Sequence, residues 1–229
     1  LAGNRTTTTH FAQLARAMGA AGADEDRLML AVEAALDLVD GCTQAGITIN
    51  REGDCQTLAA TSDVMSSVNS WQNELAQGPC HEPDRTEEIV VISDLARDER
   101  WQTWGRRVHD EHGLRSTISL LVYSTKGTYG TLSLYADRPG AFDGDDLATA
   151  QAIAGHLAVS LAASREIDGL QLALSSRTVI GQAEGIIMER LSLDADQALA
   201  YLKRVSSQTN RKLVALALSI VETRELPEA

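Results

Sequence analysis

Aromatic side chains are scarce, at 4% of 229 residues, so any core must be packed mostly from Ala, Leu, Val and Ile. Hydrophobic residues still reach 44%, which supplies a real core and excludes a disordered chain. Only three cysteines occur, Cys42, Cys55 and Cys80, with no CxxC spacing. An odd number cannot all pair, which excludes a small disulfide-stapled scaffold. Buried free thiols in a reduced cytoplasm are expected, with Cys80 the candidate for redox sensing. No run reaches 18 consecutive apolar residues, so no membrane span is expected. No basic stretch followed by a long apolar one opens the chain, so no leader is expected and the localisation read from the sequence is cytoplasmic.

Signatures of catalysis are missing as well. No GxGxxG or GxxxxGK[ST] follows a strand, which disfavours a nucleotide-binding α/β core. No Gly-x-Ser-x-Gly is present, and Cys80-His81 are adjacent with no third orienting group. His109 and His112 sit three apart on an expected helix beside Asp110 and Glu111, a pattern that fits a solvated face better than a metal site. Asp143, Asp145 and Asp146 lack the spacing and the Glu of a calcium loop and suit a helix start. No catalytic residue, metal or cofactor is expected, and an enzyme is a poor reading.

Charge is present but unevenly spread. The net charge is −12. Residues 1–170 carry 13 Lys+Arg against 25 Asp+Glu and hold all of it, whereas residues 171–229 carry seven of each. The overall sign argues against nucleic acid, yet the neutral tail permits a local basic face with a modest phosphate contribution.

Helices are expected over residues 5–20 and 24–40, the second capped by Asp24, striped by Leu28, Val32, Leu36 and Val39, and ended by Gly41. Residues 42–50 and 55–61 read as strands joined by a turn at 51–54. A helix at 62–76, a short strand at 89–92 and a helix at 98–112 with Trp101 and Trp104 follow. A second hairpin spans 116–123 and 128–135 around Lys126-Gly127. This order implies an α+β domain, an antiparallel sheet with helices beside it.

The motifs of that region resemble a GAF domain over roughly residues 20–162. They are Gly41-Cys42-Thr43-Gln44-Ala45-Gly46-Ile47, Leu58-Ala59-Ala60-Thr61, Asn73 through Gly78-Pro79-Cys80, and Asp94-Leu95 through Arg100-Trp101. Gly113-Leu114-Arg115-Ser116, Gly130-Thr131-Leu132-Ser133-Leu134-Tyr135 and Pro139-Gly140-Ala141-Phe142-Asp143 complete the set. The resemblance implies a sensory or dimerising domain with an unidentified small-molecule ligand. Cyclic-nucleotide, haem and bilin signatures are not recognisable.

A long helix opens near Asp143. Leu147, Ala150, Ala154, Leu157 and Leu161 recur at alternating spacings of three and four, which suits the seam of a parallel homodimeric coiled coil. A helix packed only on its own sheet would show the same stripe. The expected division is 1–162 and 163–229, with a connecting helix at 143–180.

Three helices are expected in the tail: a first along Leu172, Val179, Ile180, Ile186 and Ile187, a second capped by Asp194 with Gln197 at its third position, and a third capped by Asn210, faced by Leu213, Leu216, Ala217, Ile220 and Val221, and ended by Leu226-Pro227. Outside the stripes, Arg190, Lys203, Arg204, Arg211 and Lys212 suit phosphates or stacking on unpaired bases, and Ser206, Ser207 and Asn210 suit base edges or ribose. Any one of these alone is accounted for by a solvated surface. The run Ser176-Arg177-Thr178-Val179-Ile180-Gly181-Gln182-Ala183-Glu184-Gly185-Ile186-Ile187-Met188-Glu189-Arg190, with Lys203-Arg204-Val205-Ser206 and Asn210-Arg211-Lys212-Leu213, resembles an ANTAR domain. That family comprises small three-helix modules of transcription antitermination regulators, which bind nascent RNA. The resemblance implies RNA contact through Gln182, Ala183, Gly185, Arg190, Lys203, Arg204, Ser206, Asn210, Arg211 and Lys212. Gly185 is costly inside a helix, by about 1 kcal/mol against Ala, and suits close approach of a loop or another helix. Glu184 departs from the family, which often has Lys there, and a carboxylate repels phosphate.

The implied protein is a cytoplasmic, homodimeric antiterminator binding stem-loops in a nascent transcript, with a GAF sensor. The alternatives are a GAF-type dimerisation or signalling module without RNA binding, a DNA-binding transcription factor, and a sulfoxide reductase built on Cys80. An apolar third helix disfavours the DNA reading, because a recognition helix needs polar groove-facing residues.

Overall fold

The computed structural model of the chain describes residues 2–81, 87–124 and 127–226. The expected turn residue Lys126 and the expected helix stop Pro227 lie outside them. Two compact units form, Leu1–Ser164 and Arg165–Ala229.

The first unit carries α1 (Ala2–Ala20), α2 (Asp24–Leu38), β1 (Gln44–Arg51), β2 (Asp54–Ala60), α3 (Asp63–Leu75), β3 (Ile89–Ile92), α4 (Gln102–His112), β4 (Ser116–Ser124) and β5 (Gly127–Ala136). The five strands form one antiparallel sheet in the order β2-β1-β5-β4-β3. Glu52 and Gly53 both take positive φ at the β1–β2 turn, the conformation that matches strand twist in a two-residue hairpin. This is the α+β fold expected from the strand and helix order.

The pleat divides the sheet into two different faces. Ala45, Ile47, Ile118, Leu120, Leu132 and Leu134 point to one side and pack with Leu28, Val32 and Ala35 of α2. On the other side Val90, Ile92 and Tyr135 pack with Met65, Val68, Trp104 and Val108 of α3 and α4. There α4 sits so close that a Cβ on Gly105 would strike the Leu95 carbonyl. Asp24 does not cap α2: Ala23 holds that position, and the Asp24 carboxylate accepts from Arg27 at 3.3 Å instead.

Helix α5 (Gly144–Leu191) begins in the first unit and ends in the second. Its start is fixed by the acidic run. Asp143 Oδ1 accepts the backbone N–H groups of Asp145 and Asp146 at 2.8 and 3.1 Å, and Asp146 Oδ2 accepts that of Asp143 at 3.0 Å. The stripe expected to form a seam between subunits belongs elsewhere. Ala150, Ala154, Leu157 and Leu161 are buried in the first unit's own core with Ile153 and Ala158, and Leu147 packs against it. Periodicity gave the stripe correctly; the first unit's own core, drawn from α1, α2 and the sheet, covers it. Among the described residues α5 is the helix long and apolar enough to cross a membrane, with a mean hydropathy of 1.3 over 18 residues.

Candidate functional site

The second unit is built from the end of α5, α6 (Ala195–Thr209) and α7 (Leu213–Thr223). Ala183, Ile187, Ala198, Leu202, Val205, Leu216, Ala217 and Ile220 form its buried core, flanked by half-buried Val179, Ile180, Ile186, Leu213 and Val221. Leu172 is not part of this core and stands exposed. The start of α6 is a reciprocal cap: the Gln197 N–H donates to Asp194 Oδ1 at 2.8 Å, and the Asp194 N–H donates to Gln197 Oε1 at 3.2 Å.

Asn210 works at the opposite end of α6 from the one expected. It takes a left-handed conformation, φ 51°, and its N–H donates to Ser207 O at 3.4 Å while that of Arg211 donates to Ser206 O at 3.2 Å. These two bonds close a helix C-terminus, and Asn tolerates that backbone better than most residues. Lys212 occupies the N-cap position of α7 without a side-chain cap. The Ser206 hydroxyl donates to Arg211 O at 2.6 Å, so it holds the turn in shape. The result is a firm corner that presents Asn210, Arg211 and Lys212, all exposed.

Of the ten residues assigned to RNA from the sequence, Ala183 is misplaced. It is fully buried in the bundle core, because position 183 shares the inward stripe with Ile187, one turn on. Gly185 is exposed, with nothing within 4 Å of where its Cβ would stand, so no neighbouring helix requires a glycine there. Gln182, Gly185 and Arg190 line a groove of about 550 Å³ with Ile186, Glu189, Val221 and Arg224. Lys203 and Arg204 are exposed on α6, with the Arg204 guanidinium 5.4 Å from the Tyr201 ring centroid. Arg190 lies 3.9 Å from Glu189, an exposed pair of little energetic weight. Among the described residues no carboxylate pairs with Lys203, Arg211 or Lys212. The polar candidates therefore fall into two groups, one around the groove and one on α6 and the α6–α7 corner. Arg224 was missed: it follows α7 in a left-handed cap, φ 61°, and only its charge marks it in the sequence. Glu184 is half-buried.

The first unit holds a second candidate site, inside. On the sheet face beneath α3 the strands place Thr48 opposite Thr131 and Ser119 opposite Ser133, and Thr117 joins them there. All five are buried. Asn69 Nδ2 donates to Thr57 Oγ1 at 2.8 Å, and the Ser119 and Ser133 hydroxyls lie 2.8 Å apart. The Thr48 hydroxyl, on a side chain only 2% exposed, has no hydrogen-bond partner. A buried polar layer with an unsatisfied member is uncommon in a structural core and suits reception of a small polar ligand. Elsewhere, His112 stacks on Trp71 at 5.1 Å. No group of three or more His, Cys, Asp or Glu gathers as a metal would need, among the described residues.

Comparison with known proteins agrees with this architecture. The GAF domain family matches residues 24–162 and the ANTAR domain family matches residues 168–221. No curated protein matches. The GAF domain of a Coxiella burnetii phosphoenolpyruvate-protein phosphotransferase is 17% identical, with a TM-score of 0.55 over 71% of this chain and 96% of its own. The corresponding Acinetobacter domain is 16% identical, with a TM-score of 0.53 over 72% and 98%. A Synechocystis GAF domain in its photoproduct state is 11% identical, with a TM-score of 0.53 over 65% and 99%. Identities this low establish the fold alone. GAF domains are sensory, and ANTAR domains are RNA-binding antitermination modules. With more than half of its length matched by the first of these families, the chain belongs to the GAF domain proteins and joins that sensor to an ANTAR domain.

Proposed function

We propose that this chain is a signal-responsive transcription antitermination regulator that grips hairpin loops of a nascent transcript, with an unidentified small molecule as its signal. The observation that carries the reading is the ANTAR match over a bundle that, among the described residues, buries no polar side chain and exposes Lys203, Arg204, Arg211 and Lys212. Specificity comes from unstacked loop bases, because the A-form major groove is closed to side chains. The basic residues hold the backbone, and Gln182, Gly185, Arg190 and Arg224 line a groove that can receive a base.

The working form is a homodimer in the cytoplasm. Its contact is the part of α5 beyond the first unit's core, where Ile167, Leu170 and Leu174 are each more than half exposed at spacings of three and four. The domains are the GAF sensor at 1–162 and the RNA-binding bundle at 163–229. A DNA-binding reading fits less well, because α7 is apolar along Leu213–Leu218 and offers no row of groove-reading side chains.

The test is binding of the full chain to a two-hairpin RNA before and after Arg211→Ala plus Lys212→Ala. Weaker binding and a salt dependence flatter by about 0.7 in log K per log salt for each lost phosphate contact are expected. Unchanged affinity and slope would remove the corner from the interface.

A further inference from the structure

The first unit contains a thiol pair that neither the sensor reading nor the RNA reading uses. Cys55 lies on β2 and Cys80 follows Gly78-Pro79, yet the fold brings the two residues to the same place, and both are buried. The juxtaposition is held from three sides. Adjacent residues of α3 anchor the two backbones: the Cys80 N–H donates to Gln72 Oε1 at 2.9 Å, and the Cys55 N–H donates to Asn73 Oδ1 at 2.7 Å. Asn50, the cross-strand partner of Cys55, donates from Nδ2 to the Cys80 carbonyl at 2.8 Å. Gly78, φ 118°, turns the chain here, and a Cβ on it would collide with Gln72. A disulfide demands two β-carbons close together, and this frame holds the two backbones beside each other before any bond forms.

We propose that Cys55 and Cys80 are a reversible dithiol–disulfide site, oxidised by peroxide. One thiol takes an oxygen from the peroxide as the O–O bond breaks, giving a sulfenic acid and one water. The second thiol attacks that sulfur, its proton leaves with the hydroxyl as a second water, and the S–S bond closes. Two electrons pass from the thiols to the peroxide, and an external dithiol returns them. Contact with the neighbouring thiol and burial push the Cys55 thiol above its usual pKa, so this thiol stays protonated and reacts slowly until peroxide is in excess. Cys42 is set apart from the pair, its thiol donating to Gln44 O at 3.4 Å at the start of β1. Closing the bond ties β2 to the segment after α3, on the sheet face that carries the buried polar layer. Oxidation therefore acts on the same interior as a ligand would.

The experiment treats the full chain with excess hydrogen peroxide, quenches it, and counts thiols in denaturant alongside a peptide map. The expected result is a fall from three titratable thiols to one, a cross-linked peptide joining residues 55 and 80, and recovery of all three with dithiothreitol. Cys42→Ser should still form the link. Cys80→Ser should not, and should leave Cys55 as an oxyacid or unreacted. The wild-type map decides the matter even where a variant fails to fold. Three surviving thiols, a disulfide that includes Cys42, or a sulfinic acid on Cys80 without a cross-link would each overturn the proposal.

Discussion

The two units bury different things. The first encloses Arg27, Thr48, Asn69, Gln72, Ser116, Thr117, Ser119, Thr131, Ser133 and Asp146, whereas the second has a core of Ala, Val, Leu and Ile and keeps its polar side chains outside. A polar interior is expensive unless each group is satisfied, and it makes the energy of the fold depend on what sits there. An apolar interior fixes shape and leaves chemistry to the surface. On the proposed function, one unit registers something inside it and the other touches something outside it. The charge division follows the same line, with nearly all of the acidic excess in the first.

The largest test of that contrast is Leu202→Ala, which opens the fully buried centre of the bundle. A loss of about 3 kcal/mol is expected, from lost burial and the cavity left behind. Trp71, Trp101 and Trp104 all lie in the first unit, so tryptophan emission follows that unit alone, while circular dichroism follows both. Urea unfolding should lose its bundle component early in circular dichroism and keep the emission midpoint. An equal shift in both signals would mean that the units unfold as one. Next is Thr48→Val, which removes the unpartnered hydroxyl at nearly constant volume. A gain of about 1 kcal/mol is expected in the emission transition, because burying a bare hydroxyl is unfavourable. A loss instead would reveal that the hydroxyl is satisfied by a bound water or ligand.

Gly185→Ala should stabilise the bundle by up to about 1 kcal/mol, since helix propensity improves and open space receives the methyl. The same variant should bind RNA less well if the groove admits a base at that point. A variant both more stable and fully active would remove Gly185 from the interface. The smallest effect concerns acid. The side chain of Arg115 hydrogen-bonds Asp94 at 3.1 and 2.8 Å and holds its carboxyl below the usual range, against an opposing contribution from burial. A carboxylate lowered in the folded state contributes stability that is complete above its unfolded pKa of about 3.9 and is lost as pH falls through the folded value. Asp94→Asn should therefore lower the emission transition slightly at neutral pH, where the pair contributes in full, and flatten the acid limb below about pH 4, where variant and wild type converge. An unaltered acid limb would assign it to other carboxylates.

Much of the fold was legible because its signals are local. The Asp194–Gln197 cap, the 51–54 turn and the strand order of the second hairpin each depend on a few neighbouring residues. The stripe on α5 was equally legible as a period, but a period does not say what covers it. Leu147, Ala150, Ala154, Leu157 and Leu161 fit a helical partner and a sheet alike, and the choice depends on tertiary packing far away in sequence. Ala183 failed for a related reason: motif membership does not separate a residue that touches a ligand from one that seats the helix carrying it. Asn210 suits either end of a helix, and the left-handed backbone at the α6 terminus decided between them. The Cys55–Cys80 contact had no sequence signal, since it depends on where the chain after α3 returns to the sheet.

The central claim is tested most directly by a mobility shift of the full chain with a two-hairpin leader RNA, with loop-scrambled RNA and duplex DNA of equal length as competitors, at two salt concentrations. Binding that weakens with salt, is lost with the scrambled loops and survives duplex competitor is the expected result. Absence of a shift at both salt concentrations, or equal displacement by duplex DNA, would contradict it.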